Sequence, residues 1–488
     1  MKGMFCLFIF FAALGVMISC SSSDDDDDND NDDHDTGDDD DDSLPLGRVF
    51  AINPDEGAPV DMPLTGLPDE ATLLSGENFA VFTCMGADCF SDVEQLATAD
   101  ANGDFLYDPL VDPQLGDDPA AEVNIYYHAQ QVLERFAQLG FGGLADPVNI
   151  IVRFGFDENG DDMPDDFLAG ATELWGAPGL LFGCWGERNL AYDPDILGHE
   201  LTHIVTATVN ALDTTLGATG FNTAPAAVNE GSADFFSCSI NGDPDVGEYS
   251  AAALGYPYMS SVDNGATCPA ALYGEPHVDG QIWSGALWEL HAALGAETAE
   301  QVAYDTLAEL PTGFSLQDAA RALLAVCDAA GCGDEAETIL QARGLLDCAC
   351  QVDLSIGEQA ELWVPSVDEE VWDDAHENLY FLDALPAPLP IRVDVPAETS
   401  SLTLTVSVPA GEEIDLANVT VHLRFDEAVQ YALAGGELQT TADAAFPATA
   451  PITLSAASDP PLSTGYVYLS FVHAGAQDGS VIVAATQP

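Results

Sequence analysis

Lysine is all but missing from this chain. Lys2 is the only one, and together with eight arginines it faces 84 aspartates and glutamates, for a formal net charge of -75. That balance excludes electrostatic binding to nucleic acid or to anionic lipid headgroups. No two Cys-x-x-Cys pairs occur, which argues against a zinc ribbon, and no internal repeat is evident. The apolar run Phe5 to Ile18 is too short to cross a bilayer comfortably. What remains is apolar enough to fold: hydrophobic residues make up 47% and charged residues only 19%, too few charges for a wholly disordered polyanion. The length of 488 residues allows two or three packed domains, each with an acidic surface of the kind that suits high salt.

Residues 1–19 read as a signal peptide, with Lys2 ahead of the apolar run and Met17-Ile18-Ser19 before Cys20. This end resembles the lipobox of bacterial lipoproteins, which implies diacylglycerol on the Cys20 thiol; ordinary secretory cleavage near Ser19 is the alternative. Either way the chain is exported, to the outer membrane or cell surface if lipidated and otherwise secreted. Its only membrane contact would be the N-terminal lipid. Between Asp24 and Asp42 there are 14 aspartates in 19 residues and nothing apolar to bury, so residues 20–46 read as a self-repelling, extended tether, with His34 incidental.

Three regions follow. Residues 47–190 mix β-branched runs, such as 149–154, with one strong helix. That helix is marked by Asp118 as N-cap, Pro119 in its first turn and Gly140 as stop. Residues 191–350 read almost entirely helical, with starts at Asp193-Pro194, Thr223-Ala224-Pro225, Ser315 and Asp334 and a helix from Ser284 to Leu294. Residues 353–488 alternate with period two, for example over 402–406, 419–423 and 466–471, between Pro and Gly clusters, which predicts a β-sandwich. The expected class is α+β, with one domain over 47–350 and an accessory sandwich over 353–488. Export makes disulfides the default. Close spacing suggests Cys84 with Cys89 and Cys327 with Cys332, while Cys348 and Cys350 need separate partners.

The chemistry concentrates in Asp193-Pro194-Asp195-Ile196-Leu197-Gly198-His199-Glu200-Leu201-Thr202-His203. Residues four apart on a helix share a face, so His199 and His203 can offer two imidazole nitrogens to one zinc ion, with Glu200 beside them as general base. A catalytic zinc needs a third protein ligand, and Glu230 in Val228-Asn229-Glu230-Gly231-Ser232-Ala233-Asp234-Phe235-Phe236 can supply it from a second helix. Asp234, one turn on, is placed to accept the spare ring N–H of His199. A third block, Pro276-His277-Val278-Asp279-Gly280-Gln281-Ile282-Trp283, puts His277 near the start of a further helix.

The ordered set H-E-L-T-H, N-E-G-S-A-D-F-F and H-V-D-G-Q-I-W-S-G-A-L-W-E-L resembles the gluzincin metallopeptidases, closest to fungalysin and more distantly thermolysin, over residues 115–350. The resemblance implies a two-lobed fold with a mixed upper lobe and a helical lower lobe, followed here by the sandwich. It implies His199, His203 and Glu230 as zinc ligands, Glu200 as base and proton shuttle, Asp234 as the residue orienting His199, and His277 as oxyanion donor. The implied activity is zinc-dependent hydrolysis of peptide bonds in protein or peptide substrates. Two positions depart from the pattern. Phe221 stands where thermolysin-like enzymes carry a tyrosine, so a second oxyanion donor is missing or comes from another tyrosine. The acid that usually pairs with the oxyanion histidine is absent at the matching spacing, which leaves Asp279 or Glu275. No large inhibitory prodomain is expected between the tether and His199. A binding or adhesion module that keeps the peptidase fold without strong catalysis is the alternative function. Calcium is a second candidate ion, at Asp195, Asp243, Asp245 and Glu248, and more weakly in the acidic loops 100–104 and 157–162.

Overall fold

The computed structural model describes residues 44–110, 117–157, 165–212, 214–369, 371–373, 378–434 and 437–487. The signal peptide, Cys20, the acidic tract with His34 and most of the 157–162 loop lie outside them. Helix takes 30% and strand 29%, so the class is mixed α+β, as expected. Two compact units divide the described chain. One holds residues up to 131 and 144–193, the other 132–143 and 194–488, so the sandwich shares its unit with the helices. Among the described residues no helix is long and apolar enough to cross a membrane.

The first unit is built on a mixed sheet in which strand 148–154 pairs in parallel with 79–84 on one side and 177–185 on the other, while 169–174 closes one edge antiparallel. Parallel neighbours need a crossover, and helix α1 (Pro119–Gln138) provides it. The Tyr126 ring meets Phe79 edge-on, and buried Val123, Ile125 and Ala129 continue the apolar stripe. One carboxylate is buried with them. Glu122 accepts hydrogen bonds from Thr83 Oγ1 (2.6 Å) and from the backbone N–H groups of Leu96 and Ala97 (3.0 and 2.8 Å). His128, also buried, bonds the Phe50 carbonyl at 2.9 Å and is held down to about 4 by burial.

In the second unit α2 (Pro194–Val209) and α3 (Ala224–Asn241) begin where Asp193-Pro194 and Thr223-Ala224-Pro225 predict. Then come α4 (Glu248–Ala253), α5 (Pro276–Leu294), α6 (Ala296–Glu309), α7 (Leu316–Ala330) and α8 (Gly333–Ala342). Ser315 starts α7 with a capping box to Asp318. Helix α5 is longer than the sequence reading: it begins at Pro276, not Ser284, because the Glu275 side chain caps the Val278 N–H at 3.0 Å and proline suits the first turn. Helix α3 lies between α2 and α5 and is buried along almost its whole length.

The sandwich pairs a sheet of strands 352–354, 391–395, 465–473, 419–425 and 444–447 with one of 359–364, 479–486, 401–407 and 452–455. Its core includes Leu362, Ile391, Leu404, Val421, Leu469 and Val483 from both sheets. It is not self-contained. Between strands 359–364 and 391–395 the chain leaves the sandwich, and strands 371–373 and 378–380 extend the hairpin 215–217/220–222 that feeds α3. Disulfides join Cys84 to Cys89 and Cys268 to Cys348. The expected Cys327–Cys332 bond is absent: the turn at Gly331 returns the Cys332 N–H to the Cys327 carbonyl (2.8 Å), and both buried thiols stay reduced side by side.

Burial pushes the Glu122 carboxyl up to about 7. A raised carboxyl pKa means the folded state holds a proton that the unfolded chain releases, so its stabilising effect is complete below the unfolded value and is lost as pH rises through the folded one. Between about pH 4.5 and pH 7 this group should withdraw about 3 kcal/mol of stability. Glu122→Gln is expected to flatten that decline in melting temperature; parallel wild-type and variant profiles would contradict it.

Candidate metal centre

Helix α2 carries His199, Glu200 and His203, α3 carries Glu230 and Asp234, and α5 brings His277. Their meeting depends on glycine. A β-carbon on Gly231 of α3 would stand 2.4 Å from the Gly280 carbonyl of α5, and one on Gly280 would stand 2.8 Å from the Ala227 carbonyl. On the other side, a β-carbon on Gly198 of α2 would meet Ser237 Oγ at 2.8 Å. The three helices therefore touch nearly backbone to backbone beside the chemistry-bearing residues. Trp283 Nε1 adds a hydrogen bond to Ser232 Oγ at 3.0 Å.

His199, His203 and Glu230 form the one metal-ligand grouping among the described residues, their donor atoms all within 4.8 Å of one another. The two Nε2 atoms are 3.1 Å apart, His199 Nε2 lies 3.3 Å from one Glu230 oxygen, and His203 Nε2 lies 3.7 Å from the other. Tetrahedral zinc with bonds of about 2.0–2.1 Å separates its nitrogen ligands by roughly 3.3 Å, so the spacing fits. The Glu230 carboxylate is fully buried, yet neither oxygen accepts a well-formed hydrogen bond, the state of a ligand waiting for a cation. Although burial opposes it, the imidazoles of His277, His203 and His199 hold that carboxyl far below its ordinary range. Among the described residues no arginine pairs with it.

Surrounding groups set the ring orientations. His199 gives its Nδ1–H to Asp234 Oδ1 at 2.9 Å, which turns Nε2 toward the centre, and Ser260 Oγ fixes the other Asp234 oxygen at 2.7 Å. Burial lowers the basicity of His199, but Asp234 and Glu230 outweigh it and hold its pKa well above normal. His203 moves the other way, down to about 4, chiefly through burial; Glu230 and, less strongly, the Asn229 side chain counter this in part. His277 Nε2 is 3.4 Å from Glu230, and its Nδ1 is 2.6 Å from Glu275 Oε1. Burial lowers the His277 pKa, yet Glu230 and Glu275 together lift it to about 10. Between the two acids left open by the sequence, Glu275 is the one in contact. Asp279 is turned away to accept the backbone N–H groups of Tyr273 and Gly274. Glu200 is buried on α2 next to His199.

Several expectations need correction or addition. Asp195, Asp243, Asp245 and Glu248 do not form a metal-ligand grouping among the described residues: Asp195 accepts from Asn241 Nδ2 (2.6 Å) and the Gly247 N–H (3.2 Å), and Asp243 caps the Asp245 N–H of its own turn. In the 100–104 loop, Asp100 likewise caps Asn102 and Asp104. Asn229 and Ser260 were not singled out from sequence. Asn229 could have been, as the neighbour of Glu230; Ser260 carries no local signal, since strand pairing of 260–261 with 245–246 delivers it. Phe221 is fully buried in an apolar cluster with Trp363, Val371, Leu382 and Leu385.

No protein-family model and no curated protein matches this chain.

Because Phe221 packs among apolar side chains, a hydroxyl added there would be buried without a partner. Phe221→Tyr is expected to cost about 1–3 kcal/mol in denaturant unfolding. Unchanged stability would mean that the ring edge reaches solvent or a polar partner.

Proposed function

We propose that this chain is an exported zinc endopeptidase of the gluzincin type, resembling fungalysin and more distantly thermolysin, and held at the cell surface by lipid on Cys20. The observation that carries the reading is the convergence of His199, His203 and Glu230 at metal-ligand spacing, with Glu200 buried beside them. Three protein ligands leave the open position that catalysis needs, whereas a structural site would be closed by a fourth. A bound zinc ion would supply Lewis-acid polarisation of the scissile carbonyl and lower the pKa of the attacking water.

The chain's own groups do the rest. His199, His203 and Glu230 bind the ion. Asp234 keeps His199 in the tautomer that presents Nε2, and Asn229 supports His203. Glu200 takes the proton from the attacking water and passes it to the nitrogen of the leaving amine. His277, held by Glu275 at its Nδ1, presents Nε2 toward the centre as a donor to the oxygen that gains negative charge.

A weakly catalytic binding or adhesion module remains the second reading, and one observation favours it: Phe221 offers no donor and is committed to an apolar cluster with Trp363. His277 in contact with both Glu275 and Glu230 favours the enzyme, because an idle site has no need of that aligned pair. The two readings separate on one variant. Glu200→Gln is expected to keep about one zinc per chain while peptide hydrolysis falls by about three orders of magnitude or more. A variant that cleaves casein at the wild-type rate would contradict the mechanism.

A further inference from the structure

Asp234 is held from both sides. Its Oδ1 accepts the Nδ1–H of His199 at 2.9 Å and its Oδ2 accepts the Ser260 hydroxyl at 2.7 Å, so the orientation of one metal ligand depends on where Ser260 stands. Ser260 belongs to the two-residue strand 260–261, paired with 245–246. Backbone bonds from the Met259 N–H to the Val246 carbonyl and from the Val262 N–H to the Pro244 carbonyl, at 2.8 and 2.9 Å, extend that pairing by one residue each way. A two-stranded ladder this short is marginal by itself. Its firmness has to come from the turn that follows.

That turn is tied down by Asn264 and Arg343. Asn264 Nδ2 donates to the Ser261 carbonyl at 2.9 Å and to the Gln281 carbonyl of α5 at 3.0 Å, while its Oδ1 accepts from the Ala266 N–H and from Arg343 Nη1, both at 3.0 Å. The amide is thereby fully used, two donors and two acceptor positions. Arg343 is buried, and its guanidinium donates to Asn264 Oδ1, the Asn264 and Ala266 carbonyls and, from two nitrogens, Glu289 of α5, at 2.8–3.1 Å. The Arg343 carbonyl in turn accepts the Cys268 N–H at 2.9 Å, and the Cys268–Cys348 disulfide fastens the end of the turn. Helix α5 admits this pair through a glycine: a β-carbon on Gly285 would stand 2.4 Å from Arg343 Nη1 and 2.8 Å from Asn264 Oδ1. Glycine is a poor helix former, so its place there follows from the approach of the two side chains.

From this network we propose that Asn264 is a positioning residue for the metal centre: by tying the Ser261 carbonyl to α5 and to Arg343 it places Ser260, which holds Asp234 and through it the ring of His199. The proposal rests on the metal-site reading above and adds to it a residue outside the cluster. The hydrogen bonds of Asn264 reach neither a metal ligand nor Asp234, so a change there can act on the ion only by moving its neighbours. Because the same amide bonds α5, which carries His277, Ser260 and His277 are set against one common frame.

The readout is zinc affinity, measured on the folded full-length protein by competition with a chromophoric chelator, well below the melting temperature of each variant. Ser260→Ala is expected to bind zinc about tenfold more weakly, the lower end for partners beyond the ligands themselves, and Ser260→Thr, which keeps the hydroxyl, to recover to within about threefold of wild type. Asn264→Asp keeps the acceptor contacts, loses both donors and adds a negative charge. That charge alone would tighten the hold on a cation, so a weaker hold reports displacement. Asn264→Asp is expected to lose about threefold or more, and the double variant Ser260→Ala/Asn264→Asp to stay within about twofold of Ser260→Ala, because the second change acts through the first. Wild-type or tighter zinc binding in Asn264→Asp or in Ser260→Ala, no recovery with threonine, or losses that multiply in the double variant would overturn the proposal and leave the metal site standing. If Asn264→Asp does not fold, Gly285→Ala presses on the same pair from α5 with a better helix former; the same loss is expected, and wild-type affinity would overturn the proposal. A folded wild type that takes up no zinc would overturn the metal-site reading and this proposal with it.

Discussion

The metal centre depends on how closely α3 can lie between its two neighbours. Gly198, Gly231 and Gly280 are the contact points, and a side chain at Gly231 or Gly280 would drive a β-carbon into backbone. Glycine inside a helix costs about 1 kcal/mol relative to alanine, so three of them in helices otherwise rich in good formers mark places where helix propensity yields to approach. Each sits beside chemistry: Gly198 precedes His199, Gly231 follows Glu230, and Gly280 is three residues beyond His277. Close approach is what turns two ligands on one helix and a third on another into a single cluster.

Charge then works on that geometry. Glu230, Asp234 and Glu275 are buried or nearly so and meet imidazole nitrogens, and among the described residues no arginine pairs with them. Burial alone would favour the protonated form of Glu230; instead the imidazoles of His277, His203 and His199 hold it ionised. The cluster is thus built to hold a positive charge. The sandwich supports it from a distance, because strand 371–373 joins the hairpin 215–222 that leads into α3, and the Phe221 cluster welds that hairpin to Trp363 and Leu385. The C-terminal region is therefore a brace for the hairpin that leads into α3 as well as a sheet pair of its own.

What the sequence made legible is what is local. His199 and His203 share a helix face by spacing alone, Asp193-Pro194 and Ser315 announce their helices, and period-two alternation marks strands 401–407 and 465–473. Helix α5 runs through Gly280, a weak helix former whose place there is explained only by its close packing against α3. Glu275 and Asp279 were equivalent on paper, and only the capped turn shows one facing His277 and the other facing the backbone of 273–274. The Cys268–Cys348 bond spans 80 residues, and the Asp234–Ser260 contact depends on the pairing of strands 245–246 and 260–261. The contacts of Asp195 with Asn241 and Gly247, and of Asp243 within its own turn, are likewise set by the fold and not by any local pattern.

The central claim is that Glu230 completes a three-ligand metal site with His199 and His203. Its most direct measurement is the zinc content of full-length wild type and Glu230→Ala after exhaustive dialysis against metal-free buffer, with melting curves to confirm that both are folded. Wild type is expected to retain about one zinc per chain and the folded variant almost none, because two imidazoles alone hold the ion weakly. Equal zinc in both folded proteins, or none in wild type reloaded with the metal, would contradict the account.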